Sequence, residues 1–221
     1  MCGRFTLHHT TQETVERFEV EQATIEFEPR YNIAPSQPVA VVLQQEERSL
    51  EAFKWGLVPF WAKDPKIGNR MINARSETLA EKPAYKTALK RRRCLIPASG
   101  FYEWKKEGEA RVPTYIHLND SRIFSLAGLW EEWQAPDGET LHSCTIITTQ
   151  ANDFMAPIHH RMPVIFEPEQ ERAWLDPALQ DPDELIDLLQ SCPDQELATH
   201  PVSRQVNVPT FDDPACIQPL E

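Results

Sequence analysis

Short apolar runs, closed off by Pro, Gly, Asn or Asp, recur along the chain. PVAVVL (38–43), LEAFKWGLV (50–58), RCLIP (93–97), TYIHL (114–118), IFSLAGLWEEW (123–133) and SCTIITT (143–149) are rich in β-branched and aromatic residues and have strand lengths. Helical patterning is rarer. HTTQETVERF opens with Thr10 and Glu13 at the spacing of a capping box. PAYKTALK (83–90), the segment after Thr149, PEQERAWL (168–175) and PDELIDLLQ (182–190) read as further helices. Strands and helices do not alternate in the way that builds a parallel sheet. The pattern predicts an α+β, β-rich fold with a curved antiparallel sheet. No repeat, low-complexity tract or linker divides it, so residues 1–221 read as a single domain.

Composition sharpens this picture. The chain is 41% hydrophobic, enough for a sizeable core, and its 19 Pro against 7 Gly predict stiff loops. No apolar run approaches the roughly 20 residues of a membrane span. MCGRFTLHHTTQET turns polar within seven residues, unlike a signal peptide. The expected location is cytoplasmic and nucleoid-associated in a bacterium, or nuclear in a eukaryote. Five cysteines, at 2, 94, 144, 192 and 216, form no CxxC pair, which argues against a disulfide scaffold or a zinc ribbon. No metal or other cofactor is expected. Net charge is −12, but it is unevenly spread. Residues 63–111 hold thirteen Lys or Arg against six Asp or Glu, while 164–221 hold two against thirteen. The KRRR tetrad (90–93) reads either as a solvated helix face or as a phosphate-binding face on an acidic protein.

Several stretches could carry chemistry. Cys2 is small, so ordinary processing would remove Met1 and leave a free α-amine beside a thiol. In WGLVPFW (55–61), Trp55 reads as core, while Phe60 and Trp61 after Pro59 suit a stacking platform for a base. Core packing is the plainer alternative. NARSET (73–78) puts Asn73 and Arg75 two apart, on one face of an extended segment. Arg75 there suits an anionic phosphate, or simply a surface turn. In SGFYEWKK (99–106), Glu103 lies between Tyr102 and Trp104. It is either an acid–base carboxyl or a solvent-facing residue of an alternating strand. IHHRMPVI (158–165) carries adjacent histidines before Arg161. Neighbours on a regular element face different ways, so one His as a proton shuttle with Arg161 on an anion is the better reading.

Together, MCGRFT, RYNIAP (30–35), WGLVPFW, NARSET, RCLIPASGFYEW (93–104), IHHRMPVI and HPVSRQV (200–206) occur in the order seen in the SRAP family, the SOS response-associated peptidase family. Its eukaryotic members are the HMCES-type proteins. The chain resembles that family from Met1 to about Val206. The resemblance implies a β-rich pseudo-barrel with flanking helices. It also implies covalent capture of abasic sites in single-stranded DNA through Cys2; the chain is expected to act as a monomer. It places Cys2, Asn73, Glu103 and His159 in the active set. Arg4, Arg75 and Arg161 would contact phosphates, and Phe60 and Trp61 would wedge between bases or stack on them. His160 departs from the family, which commonly has an acidic residue there.

An abasic deoxyribose opens to an aldehyde. An α-amine, with a pKa near ~7.7–8.0, attacks it as the neutral base far more readily than a lysine near ~10.4. The resulting Schiff base invites β-elimination and strand cleavage, an AP-lyase side reaction. A thiol on the adjacent carbon closes it to a stable thiazolidine. The competing readings are an N-terminal-nucleophile peptidase or amidohydrolase, in which Cys2 attacks an amide, and a non-catalytic nucleic-acid module. Neither accounts for both Cys2 and an aromatic platform beside a basic block.

Overall fold

The computed structural model describes residues 2–220. Its elements in chain order are β1 (Phe5–Leu7), α1 (Thr11–Arg17), β2 (Gln22–Ala23), β3 (Arg30–Ile33), β4 (Pro38–Gln44), β5 (Arg48–Trp55) and β6 (Asn73–Arg75). There follow α2 (Lys86–Arg91), β7 (Arg93–Ala98), β8 (Gly100–Glu107), β9 (Ala110–Leu118), β10 (Phe124–Gln134) and β11 (Thr140–Gln150). The chain then forms β12 (Arg161–Pro163), β13 (Ile165–Phe166), α3 (Pro168–Leu175), α4 (Pro182–Asp187) and β14 (Leu197–Pro201).

All six apolar runs form strands, giving the expected β-rich α+β fold. Their arrangement is richer than one antiparallel sheet. Strands β5, β4, β7, β10 and β11 pair antiparallel in that order, and β11 then returns to β5 in parallel through Ser143↔Lys54 and Cys144↔Trp55. That last pairing closes a five-stranded barrel. A second, antiparallel sheet runs β14-β9-β8-β1-β3. The two meet through buried aromatics: Phe5 of β1 lies edge-on to Trp55 of β5, with ring centroids 5.2 Å apart.

The helix starting after Thr10 forms with both halves of its capping box. Glu13 N–H donates to Thr10 Oγ1 at 3.2 Å, and Thr10 N–H donates to Glu13 Oε2 at 2.7 Å. Helix α3 matches its predicted bounds, α2 begins three residues late and α4 stops at Asp187. The helix expected after Thr149 does not form. Strand β11 continues to Gln150, and a run of turns follows to His159. Asn152 starts a single helical turn, its side chain capping Met155 N–H at 2.9 Å. Pro157 has no N–H to give to Asp153 O, so no regular helix builds up, although His159 N–H still reaches Met155 O at 2.9 Å.

Candidate active site

The chain start is set by the register of β1 against β8. Phe5 pairs with Phe101 and Thr6 with Gly100, and Arg4 O accepts the N–H of Tyr102 at 2.9 Å. Continued one step, that register brings Gly3 beside Glu103. Cys2 is fully buried, and its thiol is pushed up to about 12, first by burial and then by the Glu103 carboxylate. The thiol is therefore held protonated. Asn73 Nδ2 donates to the backbone oxygen of Cys2 at 2.8 Å. Asn73 Oδ1 is buried and has no hydrogen-bond partner among the described residues, so one acceptor at the site stands ready for a donor.

Strand β11 brings the remaining groups together. On one side it pairs in parallel with β6, placing Ile146 opposite Asn73 and Thr148 opposite Arg75. On the other it pairs antiparallel with β12, placing Gln150 opposite Arg161. Residues 73–75 and 161 are thus one strand away from the same stretch of chain, roughly 5 Å to either side. Ala74 is buried between Asn73 and the exposed Arg75, as a two-residue alternation requires.

His159 lies at the end of the turn run that leads into β12. Its Nδ1 accepts the N–H of Arg161 at 3.0 Å, which fixes the ring's orientation. The expectation that the two histidines face apart is overturned: their rings stack with centroids 4.4 Å apart. The strand alternation behind that expectation does not apply, because the pair sits in a turn. His160 is held below its usual pKa by His159, with smaller contributions from desolvation and from Arg161 and Arg75.

The three arginines expected on phosphates have different environments. Arg75 is exposed. Arg161 is 8% exposed, and its guanidinium is forked onto the Glu77 carboxylate, with a further bond to the backbone oxygen of Thr148. Arg4 is 9% exposed and donates to Asn32 Oδ1 at 2.7 Å and to Val206 O at 2.8 Å. Both are committed to protein partners that a phosphate would have to displace. Half of the KRRR tetrad is also committed, while Arg91 is exposed. Arg93 donates to the backbone oxygens of Leu89, Lys90, Trp174 and Asp176, and Arg92 pairs with Glu131 at 3.2 Å.

Phe60 and Trp61 are 58% and 50% exposed. Their loop is nonetheless well anchored. Val58 N–H donates to Ser143 Oγ, and the Trp133 indole donates to Ala62 O. At the loop's base Gly56, at φ +129°, crosses Gly68 so closely that a Cβ on either would fall within 2.6 Å of the other's backbone oxygen. Only glycine fits both positions.

Sequence reading missed the residues that hold the site rather than form it: Asn32, Glu77, Thr148 and the Gly56–Gly68 crossing. Asn32 and Glu77 stand inside RYNIAP and NARSET, so the signal lay in those motifs; nothing local marks Thr148 or Gly68.

The family model for "SOS response associated peptidase (SRAP)" matches residues 1–209. The chain is 45% identical to the "Abasic site processing protein YoqW" of Bacillus subtilis (strain 168), across 99% of each. It is 34% identical to the "Abasic site processing protein HMCES" of Xenopus tropicalis, over 86% of this chain and 66% of that protein. A crystal structure of a Bacteroides thetaiotaomicron protein superimposes with a TM-score of 0.91 at 26% identity, covering both chains fully. With its motifs, barrel and matched length in agreement, this chain belongs to the SRAP family.

Proposed function

We propose that the protein processes abasic sites in single-stranded DNA by forming a covalent adduct through Cys2, acting as a monomeric single domain. The observation that carries this reading is the way the fold is built around position 2. Asn73 holds the Cys2 carbonyl at 2.8 Å, and the register of β1 against β8 brings Glu103 beside Gly3. The names of the YoqW and HMCES relatives support the same substrate. Removal of Met1 is part of the proposal and lies outside the described residues.

In the reaction, the Cys2 α-amine adds to the aldehyde carbon of the opened sugar. Water then leaves, giving the imine. The Cys2 sulfur bonds to the imine carbon while the thiol proton passes to nitrogen, which closes the thiazolidine. The net change is loss of one water. Glu103 and His159 carry protons during ring opening and dehydration, and Asn73 holds the chain terminus. Phe60 and Trp61 meet unstacked bases, and Arg75 meets a phosphate. Peptidase chemistry is less well served, because cleaving an amide gives no use to the exposed Phe60 and Trp61 rings.

The test is to incubate protein of verified intact mass with a single-stranded oligonucleotide bearing one abasic site, then run a denaturing gel. A heat-stable shifted band is expected from protein lacking Met1 and not from Cys2→Ser. An equal band from Cys2→Ser, or from protein that retains Met1, would overturn the mechanism.

A further inference from the structure

Along β8, Glu103, Lys105 and Glu107 lie on one face, two residues apart. Thr114 of β9 is paired opposite Glu103, and Pro201 of β14 opposite Thr114. The turn run before β12 packs over this face, so that Lys105, Thr114, Phe154, Ile158 and Thr199 enclose a groove of about 270 Å³. Its floor adjoins Glu103 and its roof ends one residue before His159. The groove therefore borders the strand position of Glu103 on one side and the residue before His159 on the other.

Its position along β11 also matters. The Phe60–Trp61 loop is pinned at Ser143, Asn73 and Arg75 lie beside residues 146–148, and the groove lies beyond Gln150. Seven residues of strand separate Ser143 from Gln150, roughly 23 Å at ~3.3 Å per residue. The reaction site is in the middle, with an aromatic platform at one end and this groove at the other.

We infer that the groove seats the nucleotide adjoining the abasic sugar on the side opposite Phe60 and Trp61. The base lies against Phe154 and Ile158, and its phosphate meets Lys105. The apolar lining fits a π-face. Lys105 now pairs with Glu107 at 3.1 Å, and both side chains are about half exposed. Such a surface pair is weak enough for a phosphate to replace. This inference rests on the function proposed above.

The test uses two probes: an oligonucleotide with an internal abasic site, and 2-deoxyribose 5-phosphate, which has the same aldehyde but no neighbouring nucleotide. Thr199 is exposed at the groove's edge, and Thr199→Trp would fill it. At subsaturating protein, oligonucleotide capture should fall about five-fold or more, as expected for loss of one base–aromatic stack, while adduct formation with the sugar phosphate is retained. Undiminished oligonucleotide capture by Thr199→Trp would overturn the subsite. If that variant loses both probes, Lys105→Ala decides. A salt slope for oligonucleotide binding that is shallower by about 0.7 supports the subsite, and an unchanged slope overturns it. Failure of the wild-type protein with both probes would instead sink the proposed function.

Discussion

Asn73 and Cys2 are joined across the two sheets: the side-chain amide donates to the main-chain oxygen at 2.8 Å. One hydrogen bond thus ties the strand that leads out of the N-terminus to a short strand on the barrel. Asn73→Ala removes that bond and leaves the fold's apolar contacts intact. Adduct formation should slow by about three- to ten-fold, from a net hydrogen-bond worth of ~0.5–1.5 kcal/mol, with oligonucleotide affinity unchanged. Single-turnover gels beside equilibrium binding would separate the two. A parallel loss of affinity would show that Asn73 contacts DNA instead.

The exposed and buried arginines should part in a salt titration. Arg75→Ala should lower the slope of log affinity against log salt by about 0.7, the share of one phosphate on single-stranded DNA. Arg4→Ala should act mainly on stability, because it leaves the buried Asn32 Oδ1 without its donor and takes one of two donors from the backbone oxygen of Val206. Thermal melts and filter binding at several salt concentrations check both. If Phe60 and Trp61 stack on bases as proposed, the same assays should show a clear preference for single-stranded over duplex abasic substrate.

Glu77 should give the protein an acid-sensitive step. Partial burial pushes its carboxyl up, but bonding and charge from Arg161 outweigh this and hold it below the ordinary 4.5. A depressed folded value stabilises above the unfolded one, and that contribution is lost as pH falls through the folded value. Wild-type melting temperature should therefore begin to fall below about pH 4.5. Glu77→Gln should lose about 1–2 kcal/mol at neutral pH, discounted because Glu77 is 44% exposed, and should show a flatter acid limb. That corresponds to roughly 2–8 °C in melting temperature. An unchanged acid limb in the variant would show that other carboxylates carry the effect.

Of the stacked histidines, His159 is the one whose ring nitrogen is fixed by the Arg161 N–H. His159→Ala and Glu103→Gln should each slow a proton-transfer step by at least about ten-fold, the low end for positioned acid–base groups. His160→Ala should have a smaller effect. Time courses at several pH values for each variant test this order. A reversal between the two histidines would move the assignment by one residue.

The strands were readable because each run needed only local information. β-branched and aromatic residues between turn formers specify a half-buried extended segment, and Thr10 with Glu13 specifies a helix start. The candidate site residues Cys2, Asn73, Glu103 and His159 stood out only together, through the ordered motifs that resemble the SRAP family, because each alone also fits a plain structural role. Tertiary structure decided how each side chain is engaged. Arg75 and Arg161 look alike in sequence, yet one is exposed while the other is buried against Glu77, because β11 has β6 on one side and β12 on the other. The pairing of β11 with β6, and the parallel return of β11 to β5 that closes the barrel, join residues 73 to 89 positions apart. Pairing over such distances depends on how whole strand faces fit together, and no local period in the chain records it.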